Sequence, residues 1–256
     1  MQTIVMIHGF RGTHHGLAKI VAELEGDFTL HVPDLPGFGE GERLEDYTID
    51  SYVSWLQKYI ETLQLAEPPI LLGHSFGSII TSAFAAQHPQ TIRKLILVNP
   101  IGAPALEGPR GILTKLAVGY YAIGRMLPEK LAYHWLSSKL VVYIMSTTMA
   151  KTNDKNVRSW IHQQHYTHFS SFHSARSVSQ AFTVSVSHSV RDYAERITVP
   201  TLMIAGEKDD ITAVPTLVQL QKSFNNAQLV VIPNVGHLTH YEKAAEVAAA
   251  VKKFIA

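Results

Sequence analysis

Strand-length apolar runs without polar alternation constrain this 256-residue chain more than any other feature of its sequence. Residues 3–7, 28–32, 69–72 and 94–98 read as such runs, and 201–205 and 229–232 form a second block. A strand with one wet face alternates apolar and polar side chains, whereas an unbroken run belongs to a strand covered on both faces. Sheets whose strands alternate with helices are buried in that way. The clearest intervening helix covers 48–65, where Ile49, Val53, Leu56, Ile60 and Leu63 recur at helical spacing. Another runs from about 76 to 87 and stops near His88-Pro89, because the proline disfavours helical geometry before it. Helices near 215–224 and 243–255 follow in the second block. The expected fold class is α/β, with a mostly parallel sheet flanked by helices.

Between the blocks, from 101 to 192, the pattern changes. No clear strand appears, and helical stretches rich in Tyr, Leu, Met and His take over. Gly102, Pro104, Gly108, Pro109 and Gly111 mark the way in, and Ile197-Thr198-Val199-Pro200 marks the return to the sheet. The expected organisation is a core of residues 1–100 and 193–256 carrying a helical cap over 101–192. A formal charge of +1 argues against a mainly electrostatic nucleic-acid binder. The chain has no cysteine, which excludes disulfides and thiolate chemistry. Its first residues lack the basic region and cleavage site of a signal peptide, and no apolar run approaches the length of a membrane span. A cytoplasmic location is the expectation, and the oligomeric state is left open.

Gly73-His74-Ser75-Phe76-Gly77 carries the chemistry. It joins a buried strand directly to a helix, and so sharp a turn needs small neighbours where strand and helix pack closely. The serine hydroxyl would stand above the sheet at a helix N-terminus, where backbone N–H groups favour developing negative charge. A serine hydroxyl is a weak nucleophile and needs a base within hydrogen-bond reach. His237, in Val235-Gly236-His237-Leu238 just past the last strand, suits that role, with His240 its nearest competitor. The base in turn needs a carboxylate to orient it. Asp209 follows Ala205-Gly206-Glu207-Lys208 at another strand end, beside the alternatives Asp210 and Glu207.

With these motifs and the order Ser75, Asp209, His237, the chain resembles the α/β-hydrolase superfamily over both blocks, roughly two-thirds of its length. The family's Gly-x-x-Asp pattern fits Gly206-Glu207-Lys208-Asp209 with Ile211 after it, which favours Asp209 as the acid. Asn99, at a strand end where some family members place the acid, has no carboxylate to offer. His8-Gly9-Phe10 resembles the family's oxyanion loop, implying backbone N–H donors at Phe10 and Phe76. The first two strands of many members have no counterpart, so about six strands are expected. The resemblance implies acyl transfer on a small to medium carboxylic ester with an apolar part, without cofactor or metal. A carbon–carbon bond hydrolase, lactonase or lyase on the same scaffold, or a ligand-sensing protein retaining the triad, are the alternatives.

Two other signals are discounted. Gly37-Phe38-Gly39-Glu40-Gly41 lacks the spacing and the following helix of a nucleotide loop. His162, His165, His168 and His173 have no local carboxylate or cysteine to complete a metal site. Of the aromatic residues in the insertion, Tyr121, Trp135 and Phe172 are the expected pocket residues.

Overall fold

A computed structural model describes residues 1–104 and 111–256; Gly108 and Pro109 lie outside the described residues. Six strands, β1 (Thr3–Ile7), β2 (Thr29–His31), β3 (Ile70–His74), β4 (Lys94–Val98), β5 (Thr201–Gly206) and β6 (Ala227–Ile232), form one sheet. Their order is β2-β1-β3-β4-β5-β6, and every neighbouring pair is parallel. The core helices are α1 (Ala18–Leu24), α2 (Ile49–Thr62) and α3 (Phe76–Gln87). Five more, α4 (Gly111–Met126), α5 (Glu129–Leu136), α6 (Lys139–Met149), α7 (Lys155–His168) and α8 (Ala175–Ser187), lie between β4 and β5. The chain closes with α9 (Val214–Gln221), α10 (Thr239–Glu242) and α11 (Ala244–Ile255).

Successive side chains of a strand face opposite sides, so the unbroken apolar runs supply two cores at once. Val5, Ile7, Leu71, Leu97 and Met203 pack with Tyr52 and Leu56 of α2 and with Ile80 and Phe84 of α3. Ile4, Met6, Leu72, Ile96 and Ile204 pack on the other side with Ile20 and Leu24 of α1 and Val247 and Val251 of α11. Helix α2 begins where Thr48 accepts the Ser51 N–H at 3.2 Å, satisfying one of the free donors of its first turn. The two edge strands depart from the sequence reading. Three residues of the expected 28–32 form β2, and β6 leaves Val230 and Val231 exposed because it has a neighbour on one side only.

The strand order places the site. From β1 the chain adds β2 on one side and then β3 on the other, so connections diverge at the carboxyl ends of β1 and β3. Ligands of open α/β sheets bind in the crevice such a reversal creates. His8-Gly9-Phe10 leaves β1 there, and Ser75 leaves β3 there. Helix α3 starts so close to the sheet that side chains at Gly73 and Gly77 have no room. A Cβ on Gly73 would stand 2.3 Å from Thr81 Oγ1, and one on Gly77 would stand 2.3 Å from the Ile7 carbonyl oxygen.

Two of the attachments between the inserted helices and the core bear on the site. The loop discounted as a nucleotide site is one of them. Gly39 N–H donates to the Ser171 carbonyl at 2.7 Å, His173 N–H donates to the Gly37 carbonyl at 2.9 Å, and Phe38 bridges to Phe172. The other is Arg11, a fully buried side chain. Its Nε donates to the Phe169 carbonyl at 2.8 Å, Nη2 to the Leu136 carbonyl at 2.8 Å and Nη1 to the Tyr121 hydroxyl at 3.1 Å. Leu136 ends α5 and Phe169 caps α7, so one guanidinium meets the negative ends of two helices. Among the described residues no helix is long and apolar enough to cross a membrane.

A substitution at Gly77 separates helix propensity from packing. Alanine is favoured over glycine inside a helix by about 1 kcal/mol, but here its methyl would strike the β1 backbone. Gly77→Ala is therefore expected to destabilise the fold by about 1–3 kcal/mol in urea unfolding, the usual cost of overpacking; a gain in stability would refute the close approach.

Candidate active site

The turn at Ser75 determines the rest of the site. Its backbone sits at φ 51°, ψ −114°, a region that non-glycine residues rarely occupy and that costs on the order of 1–3 kcal/mol. Surrounding hydrogen bonds hold it there. Ser75 N–H donates to the Val98 carbonyl at 3.0 Å, the Ser75 carbonyl accepts the Ser78 N–H at 2.8 Å, and the Ser78 hydroxyl also donates to it. The Ile101 N–H then donates to that hydroxyl at 3.1 Å, joining the turn to the chain leaving β4.

Ser75 Oγ lies 2.8 Å from His237 Nε2, and His237 Nδ1 lies 2.8 Å from Asp209 Oδ2. Two loops are brought together to achieve this. Lys208 N–H donates to the Val235 carbonyl at 2.8 Å, and Gly206 faces Gly236 so closely that a Cβ would stand 2.1 Å from its carbonyl oxygen. Asp209 is buried and fully engaged: Asn99 Nδ2 donates to Oδ2 at 2.9 Å, and the Ile211 and Thr212 N–H groups donate to Oδ1 at 2.9 and 3.3 Å. Burial by itself would raise its pKa. The charge and hydrogen bond of His237, with the hydrogen bonds of Asn99 and the Ile211 amide, outweigh burial and hold the carboxyl below its ordinary range. Asp210, the adjacent alternative, instead pairs with Lys151 Nζ at 2.9 Å. Glu207 accepts the Asn234 N–H at 2.8 Å.

The competitor histidine is also accounted for. His240 is buried with its ring 3.9 Å from that of His74 and 4.0 Å from that of Tyr241. Burial, then the neighbouring His74 and His237, push it well below the ordinary histidine value. Burial likewise drives His74 down to about 3, with His237 adding to the effect, and drives His165 down to about 3, with His162 adding. His162 and His165 share the Ser146 hydroxyl, at 2.6 and 2.7 Å from their Nδ1 atoms. Among the described residues no three His, Asp or Glu side chains converge as a metal site.

A cavity of about 540 Å³ opens over Ser75, within the range of small-molecule sites. Its walls are mainly apolar: Phe10, Phe76 and Ile211 from the core, with Ala117, Met145, Phe169 and Phe182 from the inserted helices. Among the described residues no protein acceptor takes the Phe10 or Phe76 N–H, and both residues border the cavity beside the serine. A second hollow of about 440 Å³ lies at the strands' amino ends, by Met1, Thr3, Glu67 and Arg93, away from every residue of this constellation.

Of the three aromatic residues expected in the pocket, only Tyr121 lines it, stacked on Phe182 with ring centroids 3.9 Å apart. Trp135 is a correction: it is 40% exposed on the outside of α5, its ring tilted against that of Tyr120, whose carbonyl accepts its Nε1–H at 3.0 Å. Phe172 is a second: it is buried beneath the Arg11 guanidinium, 5.3 Å from the ring centroid, and next to Phe38. The sequence reading also missed Arg11, Ser78 and Thr239 and gave Asn99 no positive role. The Thr239 hydroxyl donates to Asn99 Oδ1, fixing the amide so that its nitrogen faces Asp209. The available signal for Asn99 was its place at the end of the strand beside β5.

The profile of a family described as alpha/beta hydrolase fold matches residues 2–244. Lipase 1 of Psychrobacter immobilis is 27% identical over 265 residues, spanning 99% of this chain and 76% of that protein. A monoacylglycerol lipase of Mus musculus is 24% identical over 268 residues, spanning 99% of this chain and 75% of the relative. Among solved structures, a thermophilic esterase from Thermogutta terrifontis superposes with a TM-score of 0.79 at 22% identity, covering 100% of this chain and 89% of that one.

The neutral histidines make stability depend on pH. Unfolded histidines take up protons near their ordinary pKa of about 6.5, whereas His74 and His165 stay neutral until about pH 3. Between these limits the unfolded state binds more protons, so stability is complete above pH 6.5 and falls as pH drops, by about 1.4 kcal/mol per pH unit for each histidine. Urea unfolding of the wild type from pH 6.5 to 4.5 should show this slope, and His165→Gln should be shallower. Equal slopes would mean that His165 is not held neutral.

Proposed function

Since the chain belongs to the alpha/beta hydrolase fold family, we propose that it hydrolyses carboxylic esters with an apolar acyl or alcohol part through an acyl-enzyme on Ser75. The continuous line from Ser75 Oγ through His237 to the Asp209 carboxylate, under an apolar cavity, carries this reading. His237 Nδ1–H donates to Asp209, which leaves Nε2 free to accept the serine proton as Oγ attacks the ester carbonyl. The Phe10 and Phe76 N–H groups receive the oxyanion, and the N-terminal end of α3 adds its dipole. His237 then returns the proton to the leaving alcohol. A water molecule, activated by the same imidazole, releases the acid. Asn99 and Thr239 act as positioning residues by holding Asp209.

The segment 101–192 is proposed as a lid, because α4, α6, α7 and α8 all contribute walls to the cavity above Ser75. A wall of Met145, Phe169 and Phe182 suits a hydrocarbon chain and excludes water, which strengthens the polar interactions at the reacting carbon. The lipase names of the sequence relatives support an ester with a fatty acyl part.

Ser75→Ala is expected to lower turnover of a chromogenic ester by up to about a million-fold, and a fluorophosphonate should label Ser75 alone. Asp209→Asn should cost on the order of ten-thousand-fold, with Asp210→Asn near wild type. An unlabelled Ser75 in folded, active protein would overturn the nucleophile, and the reverse ranking of the aspartates would move the acid.

Met145, half-buried on α6, tests the pocket. Met145→Trp should fill the cavity and shift kcat/KM toward shorter acyl chains, leaving an acetyl ester within a few-fold of wild type. An unchanged chain-length profile would place the acyl group elsewhere.

A further inference from the structure

Three of the inserted helices, α4–α6, are apolar on the outside as well as on the inside. On α4, Leu116, Ile123 and Met126 recur on the exposed side; α5 adds Leu131, and α6 adds Leu140 and Ile144. Monomeric soluble proteins rarely expose contiguous apolar surface on this scale without using it. Two of these side chains fix where the face lies relative to the site. Leu116 and Ile144 are exposed and also line the cavity over Ser75, so the cavity opens between α4 and α6 within the apolar face.

Charge follows the same pattern. Lys115 precedes Leu116, Arg125 precedes Met126, Lys130 precedes Leu131 and Lys139 precedes Leu140, and all four cations are exposed. Against them the three helices carry one acid, Glu129, whose carboxylate accepts the Ala175 N–H at 2.8 Å. The stretch from α4 to α6 therefore holds a net charge of +3 in a chain whose formal total is +1. Apolar side chains interleaved with basic ones are the composition of helices that lie in a membrane interface, the first entering the acyl layer and the second meeting anionic headgroups.

We propose that the outer face of α4–α6 docks on an anionic lipid surface, with the mouth of the cavity pressed against it. A second copy of the chain suits the face poorly: a two-fold contact would set one +3 surface on another and close both mouths. The inference deepens the ester-hydrolase reading, since an apolar ester would pass from lipid to Ser75 without crossing water. It rests on that reading for the substrate alone, not for the docking.

The test is sedimentation of the full chain with vesicles of phosphatidylcholine, with and without phosphatidylglycerol. The wild type and Ser75→Ala should bind the anionic vesicles equally, and high salt should release both. Lys130→Glu and Lys139→Glu should each weaken binding on the order of ten-fold. Met126→Ser with Leu140→Ser should weaken it further, while turnover of a water-soluble acetyl ester stays unchanged. Ester turnover without vesicle binding, or binding indifferent to these substitutions, would overturn the docking face and leave the hydrolase reading intact. Vesicle binding that follows the substitutions in a protein without ester turnover would do the opposite. Self-association abolished by Leu140→Ser would assign the face to a second copy and overturn the proposal.

Discussion

The contact between the first turn of α3 and the carboxyl ends of β1 and β3 is the constraint from which the other parts of the site follow. Gly73 and Gly77 allow that contact because neither leaves room for a side chain. The chain must then reverse from strand to helix at a single residue, and Ser75 takes up the unfavourable φ of 51° that results. The same contact sets the helix N-terminus and the His8-Gly9-Phe10 loop side by side. A Cβ on Gly9 would stand 3.4 Å from Ser75 Cβ. Geometry that costs energy in the turn is supported by hydrogen bonds to the Val98 carbonyl, from Ser78 and, through the Ser78 hydroxyl, from Ile101. Strain of this kind persists only where the surroundings over-determine it.

A ring of polar groups without net charge surrounds that turn. His74 and His240 are buried with their ring centroids 3.9 Å apart, and burial keeps them neutral. Asp209 is the exception: Asn99 and two backbone amides compensate its burial, so it can remain a carboxylate beside His237. Confining the local negative charge to the one group that faces the imidazole matches the demands of triad chemistry, in which the carboxylate orients the base without taking its proton.

The elements most legible in the sequence were those governed by local pattern. Strands β1 and β4 coincide with the apolar runs that announce them, and α3 begins and ends where the turn and His88-Pro89 place it. Ser75, Asp209 and His237 were legible because each follows a strand end with a glycine nearby, a signature written in adjacent residues. Arg11, Asn99 and Thr239 were not, since their partners lie 110 to 158 positions away and no spacing encodes such contacts. The bounds of α4–α6 were illegible for a different reason. Their apolar residues point both inward and outward, so no single stripe gives a helical period. That ambiguity also misplaced Trp135, an aromatic side chain whose ring found its partner on the outer surface.

Arg11 reaches α4, α5 and the end of α7, but not α6. Helix α6 is held instead at its two ends and, through Ser146, by His162 and His165 of α7. Leu136, whose carbonyl accepts from the guanidinium, stands just before it, and Lys151, which pairs with Asp210 and donates its N–H to Glu242 Oε1 at 3.2 Å, stands just after it. Moving α4, α5 or α7 would strand a buried cation among unpaired carbonyls, at a cost several-fold above that of sliding an apolar helix surface. The guanidinium therefore ties three of the inserted helices to the loop that follows β1, and α6 joins them through Ser146 and its two ends. One buried cation thus couples the walls of the cavity to the chain beside Ser75.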